Sequence, residues 1–165
     1  MFEIEIEQPA HKATIEGLLD SAFGPGRFAK SSYRLRENRN PINDLCLVGS
    51  IDGTIGGSLR FWPIRVGNMT TALLLGPLAV DPEVRGKGLG IKLMEKGLSL
   101  AMEQGHELVF LVGDAPYYER VGFAPVKPGR FKFPGPLDEA RLLFRELKLH
   151  ALEGVSGAIE KAPKK

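Results

Sequence analysis

The chain has 165 residues, 43% of them hydrophobic, which suits one domain with a sizeable core and excludes wholesale disorder. Lys and Arg (22) nearly balance Asp and Glu (20), so the net charge of +2 gives no reason to expect a nucleic-acid partner. A single cysteine excludes an intrachain disulfide, and without an apolar run of about 18 residues or a basic-then-apolar leader the sequence reads as cytoplasmic, with no membrane partner.

The first residues, Phe2-Glu3-Ile4-Glu5-Ile6-Glu7, alternate apolar and acidic side chains, the pattern of a strand with one wet face. After Pro9, helical spacing sets in at Ile15, Leu18, Leu19, Ala22 and Phe23, and Gly24-Pro25-Gly26 ends it. Residues 27–39 are basic and are expected to be helical. They form either a solvated face or the lip of a cleft.

A meander follows. Leu45–Ile51 and Thr54–Trp62 are strand-like and joined by Asp52-Gly53, a two-residue hairpin signal. Cys46 sits in the first of these runs and reads as a core thiol. Gly67-Asn68 marks a turn, and Thr70–Val80 is so continuously apolar that burial on both faces is expected. Gly88–Gln104 has helical period, with Leu93, Met94, Gly97, Leu98 and Ala101 on one side and Gly105 as its stop. Leu108–Val112 is a buried strand, which makes Thr70–Val112 a strand–helix–strand unit of parallel crossover type. Ala115–Val121 reads as a short helix, Phe123–Val126 as a short strand and Leu142–Leu149 as alternating strand. The stretch from Glu153 is rich in Gly, Ala and Lys, and a frayed tail is expected over 151–165 after a domain spanning 1–150. The fold class is α/β in the α+β sense, a mixed sheet with helices on its faces.

Arg85-Gly86-Lys87-Gly88-Leu89-Gly90 lies between a strand and a helix, where bare backbone N–H groups and a helix N-terminus form an anion site. A P-loop fails on spacing, because Gly88 follows Gly86 too soon and Leu89 stands in place of a Lys. A dinucleotide fingerprint matches at Gly86 and Gly88 but meets Ile91 at its third glycine; Asp114, where a ribose-binding acid would lie, keeps that reading open. His11, His106 and His150 have no metal-ligand spacing, so no metal is expected.

Arg85-x-x-Gly88-x-Gly90 also resembles the (Gln/Arg)-x-x-Gly-x-(Gly/Ala) motif of the GNAT superfamily of N-acetyltransferases. Tyr117-Tyr118-Glu119-Arg120-Val121-Gly122-Phe123 resembles that family's Tyr-x-x-x-Gly-Phe block, and the strand order agrees over residues 3–149. Gly76-Pro77-Leu78-Ala79-Val80 with Gly113–Tyr118 further resembles the YhbS-like branch. The resemblance implies a mostly antiparallel central sheet with one parallel, splayed pair, a bulge late in its fourth strand, and acetyl-CoA held in the gap as co-substrate. On that reading Leu78, Ala79 and Val80 pair with the pantetheine arm. Arg85 forms the turn, and Gly86, Lys87, Gly88, Leu89 and Gly90 cradle the pyrophosphate. Tyr118 is the general acid, Asp114 a candidate to orient amine or water and otherwise an N-cap. The acceptor, an amine on a small molecule or a protein, is expected near Arg27, Arg34, Trp62, Arg130 and Pro134–Pro136, where arginines suit a carboxylate or phosphate. The fourth strand carries no acid, which leaves the base unnamed and keeps a non-catalytic acyl-CoA-binding module, or transfer to a hydroxyl, in view. Oligomeric state stays open, a homodimer included.

Overall fold

The computed structural model describes residues 2–67 and 69–164, so Asn68 of the Gly67-Asn68 turn lies outside the described residues. Its strands are β1 Phe2–Ile6, β2 Leu47–Ile51, β3 Thr54–Val66, β4 Thr70–Val80, β5 Leu108–Val112, β6 Ala124–Pro125, β7 Phe131–Lys132, β8 Leu142–Glu146 and β9 Gly157–Lys161. The main path runs β1-β2-β3-β4-β5-β8-β6, and β9 pairs with β3 and β7. Along the main path every pairing is antiparallel except β4 with β5.

The helices are α1 Lys12–Phe23, α2 Leu89–Glu103 and the single turn α3 Ala115–Tyr118. Helix α2 buries Leu89, Leu93, Met94, Gly97, Leu98 and Ala101, the face its period marks out. Gly97 permits a close approach to the sheet: a Cβ there would stand 2.6 Å from Phe61 Cε1, inside contact distance. Strand β4 is buried on both faces as expected. Leu73 and Leu75 point into the core under α2, and Ala72 and Leu74 into a second core with Phe110, Val126 and Ile159. A third small cluster joins α1 to the sheet through Ile15, Leu18, Leu19, Val48 and Ala79.

Two features of β4 shape the site. Its register against β3 shifts between Leu59↔Leu78 and Phe61↔Leu75, so Gly76 and Pro77 together oppose Arg60, the two-against-one count of a bulge. Its pairing with β5 covers only Leu73↔Val109 and Leu74↔Phe110, while β5 goes on pairing with β8 through Val112. From Leu75 onward the two parallel strands part, and the edge of β4 faces a gap.

Two expectations need correction. Residues 27–39 do not form an α-helix but two 3-10 segments, Pro25–Ala29 and Ser31–Leu35. Lys30 between them is extended, and the N–H groups of Arg27, Tyr33 and Arg36 each donate to the carbonyl three residues back, those of Gly24, Lys30 and Tyr33. The tail is not frayed over its length: Lys161, Glu160 and Ile159 pair with Ile64, Arg65 and Val66, and Gly157 and Ala158 with β7. Ile159 is 1% exposed, and its burial against β3 supplies the apolar gain that holds this Gly- and Lys-rich segment in place.

Candidate active site

The loop leaving β4 is set by local bonds. Asp81 N–H donates to Gly56 O of β3 at 2.8 Å, and the Asp81 carboxylate accepts from Glu83 N–H at 2.9 Å to start a 3-10 turn. Since strand residues present backbone groups to alternate edges, Ala79 faces β3 while Leu78 and Val80 turn theirs to the gap. Arg85 Nε folds back to Val80 O at 3.3 Å. Gly86 and Gly88 then take φ of +81° and +90°, left-handed conformations that cost a side chain about 1 kcal/mol or more. Gly88 is the N-cap of α2, and its carbonyl takes the helix's first bond from Lys92 N–H at 3.0 Å. The N–H groups that precede Lys92 in the turn and first helical residues have no partner within the helix, which makes the turn a backbone cradle for an anion.

Two cavities meet at the splay. One, of about 410 Å³, runs from this turn along β4 and is lined by Val80, Arg85, Gly86, Gly88 and Gly90 on one side and Tyr117 and Arg120 on the other. The second, of about 770 Å³, lies under the 3-10 lip. Phe23, Leu78 and Tyr118 line both.

Tyr118 is positioned from three sides. Its ring packs edge-on against Tyr117 at 5.0 Å and Phe123 at 6.4 Å between centroids, and its backbone N–H bonds Asp114 O at 3.2 Å. Gly113 leaves the ring its space, since a Cβ there would stand 2.9 Å from Tyr118 Cδ2 and closer still to Cε2. Among the described residues nothing bonds the Tyr118 hydroxyl. Burial, with the Tyr117 phenol beside it, pushes its pKa up to about 12, so the proton stays on oxygen at neutral pH. Tyr117 sits one residue nearer the turn, and its hydroxyl lies against Gly90, where any Cβ would collide with it.

The other sequence-derived candidates divide. Ala79 contributes backbone only, because its side chain is buried on the α1 side. Lys87 is exposed and does not line either cavity. Asp114 is exposed and off both cavities; it starts α3 by position, with no side-chain cap bond. Arg27, Arg34 and Trp62 line the larger cavity. Trp62 Nε1 donates to Gly76 O at 2.7 Å, inside the bulge. Arg27 is paired with Glu16 at 2.6 Å and Asp20 at 3.2 Å. Arg130 is the correction: its guanidinium turns away from the cavity to Val155 O at 2.8 Å and Leu152 O, tying down the chain that leads into β9.

Sequence reading missed Arg36, Arg39, Arg60 and Arg141, all on the wall of the larger cavity. Arg36 and Arg39 belong to the basic run already suspected as a lip. All five basic residues of that run, Arg27, Lys30, Arg34, Arg36 and Arg39, line the cavity, although Arg36 and Arg39 lie past the second 3-10 segment. No local signal marks Arg60, whose guanidinium pairs with both oxygens of Glu7 at 3.0 and 3.1 Å.

Comparison with known proteins bears on this geometry. Residues 13–123 match the model of the acetyltransferase (GNAT) family. The chain is 33% identical over 159 residues to the uncharacterised N-acetyltransferase YhbS of Escherichia coli K12, covering 95% of this chain and 94% of that one. The crystal structure of E. coli YhbS in complex with CoA superposes with a TM-score of 0.83 at 30% identity, covering 98% of this chain and 89% of that one. A GNAT acetyltransferase from Brucella melitensis in complex with acetyl-CoA gives 0.64 at 28% identity over 83% and 92% of the two chains. The splayed parallel pair, the glycine turn opening α2 and the match over two thirds of the sequence agree, and the chain belongs to the GNAT family of acetyltransferases.

Proposed function

We propose that the protein transfers an acetyl group from acetyl-CoA to an amine in the cytoplasm, the compartment that suits an unpaired Cys46. The observation that carries this reading is Tyr118, which lines both the donor groove and the acceptor cleft and whose protonated hydroxyl has no bonded partner among the described residues. The glycine cradle from Gly86 to Gly90 suits a diphosphate. The edge of β4 suits the pantetheine amides, which would add to it as a further strand.

In this reading the neutral amine enters from the larger cavity and its nitrogen attacks the thioester carbonyl carbon. The carbonyl oxygen takes up negative charge, which a backbone N–H of Leu78 or Val80 facing the gap can meet. Collapse of the tetrahedral species breaks the C–S bond, and the leaving thiolate takes the proton of Tyr118. The amine's surplus proton passes to water and a proton returns from water to Tyr118, since β4 carries no acid and the cleft's Glu16 and Asp138 are engaged by Arg27 and by Ala140 N–H.

The test is calorimetric binding of acetyl-CoA to wild type and Gly88→Asp, followed by thiol release over an amine library. Binding by wild type, with affinity lost in Gly88→Asp, and turnover of an amine support the reading. Failure of the wild type to bind acetyl-CoA refutes it. The missing acid on β4 also favours a second reading, an acyl-CoA-binding module without turnover. Binding with no thiol release from any amine would select that reading.

A further inference from the structure

The larger cavity is charged far beyond the chain as a whole. Lys and Arg exceed Asp and Glu by two over the full sequence, yet seven Lys and Arg line this one cavity against two acids, Glu16 and Asp138. The acids are engaged elsewhere: Glu16 pairs with Arg27, and Asp138 accepts from Ala140 N–H at 3.0 Å. Arg60 is neutralised from behind by Glu7. Arg34 and Arg39 donate to the carbonyls of Pro134 at 3.0 Å and Ala162 at 2.8 Å, which fixes their position without cancelling their charge.

Among the described residues Lys30 and Arg141 also lack an acidic partner, but both are exposed; Arg36 is the half-buried one. Among the described residues its guanidinium has no acidic partner and no hydrogen bond. Its Cζ lies 5.7 Å from the centre of the Tyr33 ring. It is half-buried on the cavity wall, with Arg27 and Arg60 as cationic neighbours. Burial, and then those two like charges, lower its pKa to about 10, which leaves it a cation at neutral pH. A partly desolvated cation among cations is a costly arrangement that an incoming anion relieves. The planar fork of Arg fits a carboxylate or a phosphate.

We infer that the acceptor is an amine carrying a carboxylate or phosphate, and that Arg36 is the residue that binds this anion and so orients the amine toward the splay. The inference rests on the acetyl-transfer reading for the identity of the cavity as the acceptor side. It excludes polycationic acceptors, which the same field repels.

Three pairs of amines decide it, each assayed by thiol release: amino acids against their C-terminal amides, phosphorylated amino alcohols against the free alcohols, and both sets against linear polyamines. The anionic member should be preferred by about tenfold or more in kcat/KM. The first two pairs separate carboxylate from phosphate. Arg36→Gln should raise KM for the anionic acceptor about tenfold while leaving its kcat at saturation and the KM for acetyl-CoA within about twofold, and Arg36→Lys should recover part of the loss. A preference for polyamines, or an Arg36→Gln effect equal on acid and amide, overturns the inference. If acetyl-CoA binds but no amine reacts, inorganic phosphate is titrated into the acetyl-CoA-saturated protein. Binding that disappears in Arg36→Gln supports the anion site, and equal behaviour of the two proteins refutes it. If acetyl-CoA itself does not bind, the transfer reading falls, and the same titration without it still decides the anion site.

Discussion

Replacing Gly113 with Ala tests whether the placement of the Tyr118 ring matters for chemistry. Gly113 has no left-handed φ, so its backbone accepts Ala without strain, and the whole effect comes from the added methyl. That methyl would meet Tyr118 Cδ2 at 2.9 Å, Leu111 Cδ1 at 3.1 Å and Tyr118 Cε2 closer still, where ordinary contact begins near 3.4 Å. The ring must therefore retreat by at least about half an ångström. It has little room, because Tyr117 and Phe123 hold it from other sides. Overpacking of this kind costs about 1–3 kcal/mol, a fall in Tm of several degrees for a chain of this size. The catalytic cost should be larger. A misplaced group of this sort can lose on the order of 100-fold, within the roughly 10²–10⁴-fold that general acids supply. We expect kcat to drop about 100-fold on an acceptor taken from the library, with calorimetric affinity for acetyl-CoA within about threefold. Combining Gly113→Ala with Tyr118→Phe should add little to the loss of either alone, because both act on one hydroxyl. A folded Gly113→Ala protein with kcat within twofold of wild type would refute the assignment of Tyr118.

Three other outcomes can be checked. Because burial raises Tyr118 to about 12, the acid stays protonated across the working range, so kcat/KM should climb as the amine loses its proton and show no descending limb below pH 10. A limb near pH 8 that vanishes in Tyr118→Phe would contradict this. Arg130→Ala should lower Tm by several degrees, through about 2–3 kcal/mol of lost bonds to Val155 and Leu152, and leave kcat/KM within twofold. A large loss of activity at unchanged Tm would return Arg130 to the acceptor site. Cys46 is 3% exposed, donates to Ile42 O at 3.2 Å and is pushed up to about 11 by burial and Glu7. Disulfide reagents should therefore modify it in native protein far more slowly than after denaturation, and fast native labelling would show that its pocket opens.

Sequence legibility followed the range of the interaction. Helix α2 and its cap are written locally, in the spacing of Leu93, Met94, Gly97 and Leu98 and in glycines whose φ only glycine adopts readily. The double burial of β4 is written in its unbroken apolar run. The lip was misread because Phe28, Tyr33 and Leu35 suit either winding. The choice was made by distant contacts, with Leu35 buried in the second core, Arg34 bonded to Pro134 and Ser31 to Pro136. Strand β9 was missed for the same reason. Five residues of mixed composition carry no strand signal until Val66, more than ninety positions away, offers Ile159 a place. Arg60 and Arg130 look like any surface arginine until Glu7 or the Leu152 carbonyl is brought beside them.

The seam between Arg39 and Ala162 has a practical side. The lip that bears Arg36 is latched, three residues later, to the backbone just past β9 by a 2.8 Å bond spanning 123 positions of sequence. Tension applied to the carboxyl end, by a fusion partner or a solid support, is thus delivered first to the cleft rather than to the sheet. The opposite end of the chain enters through β1, which among the described residues is an outer strand paired with β2. Glu7, the next residue after β1, holds the cavity's Arg60 in turn, so a reporter for binding assays at either end needs a linker slack enough to spare the bond beside it.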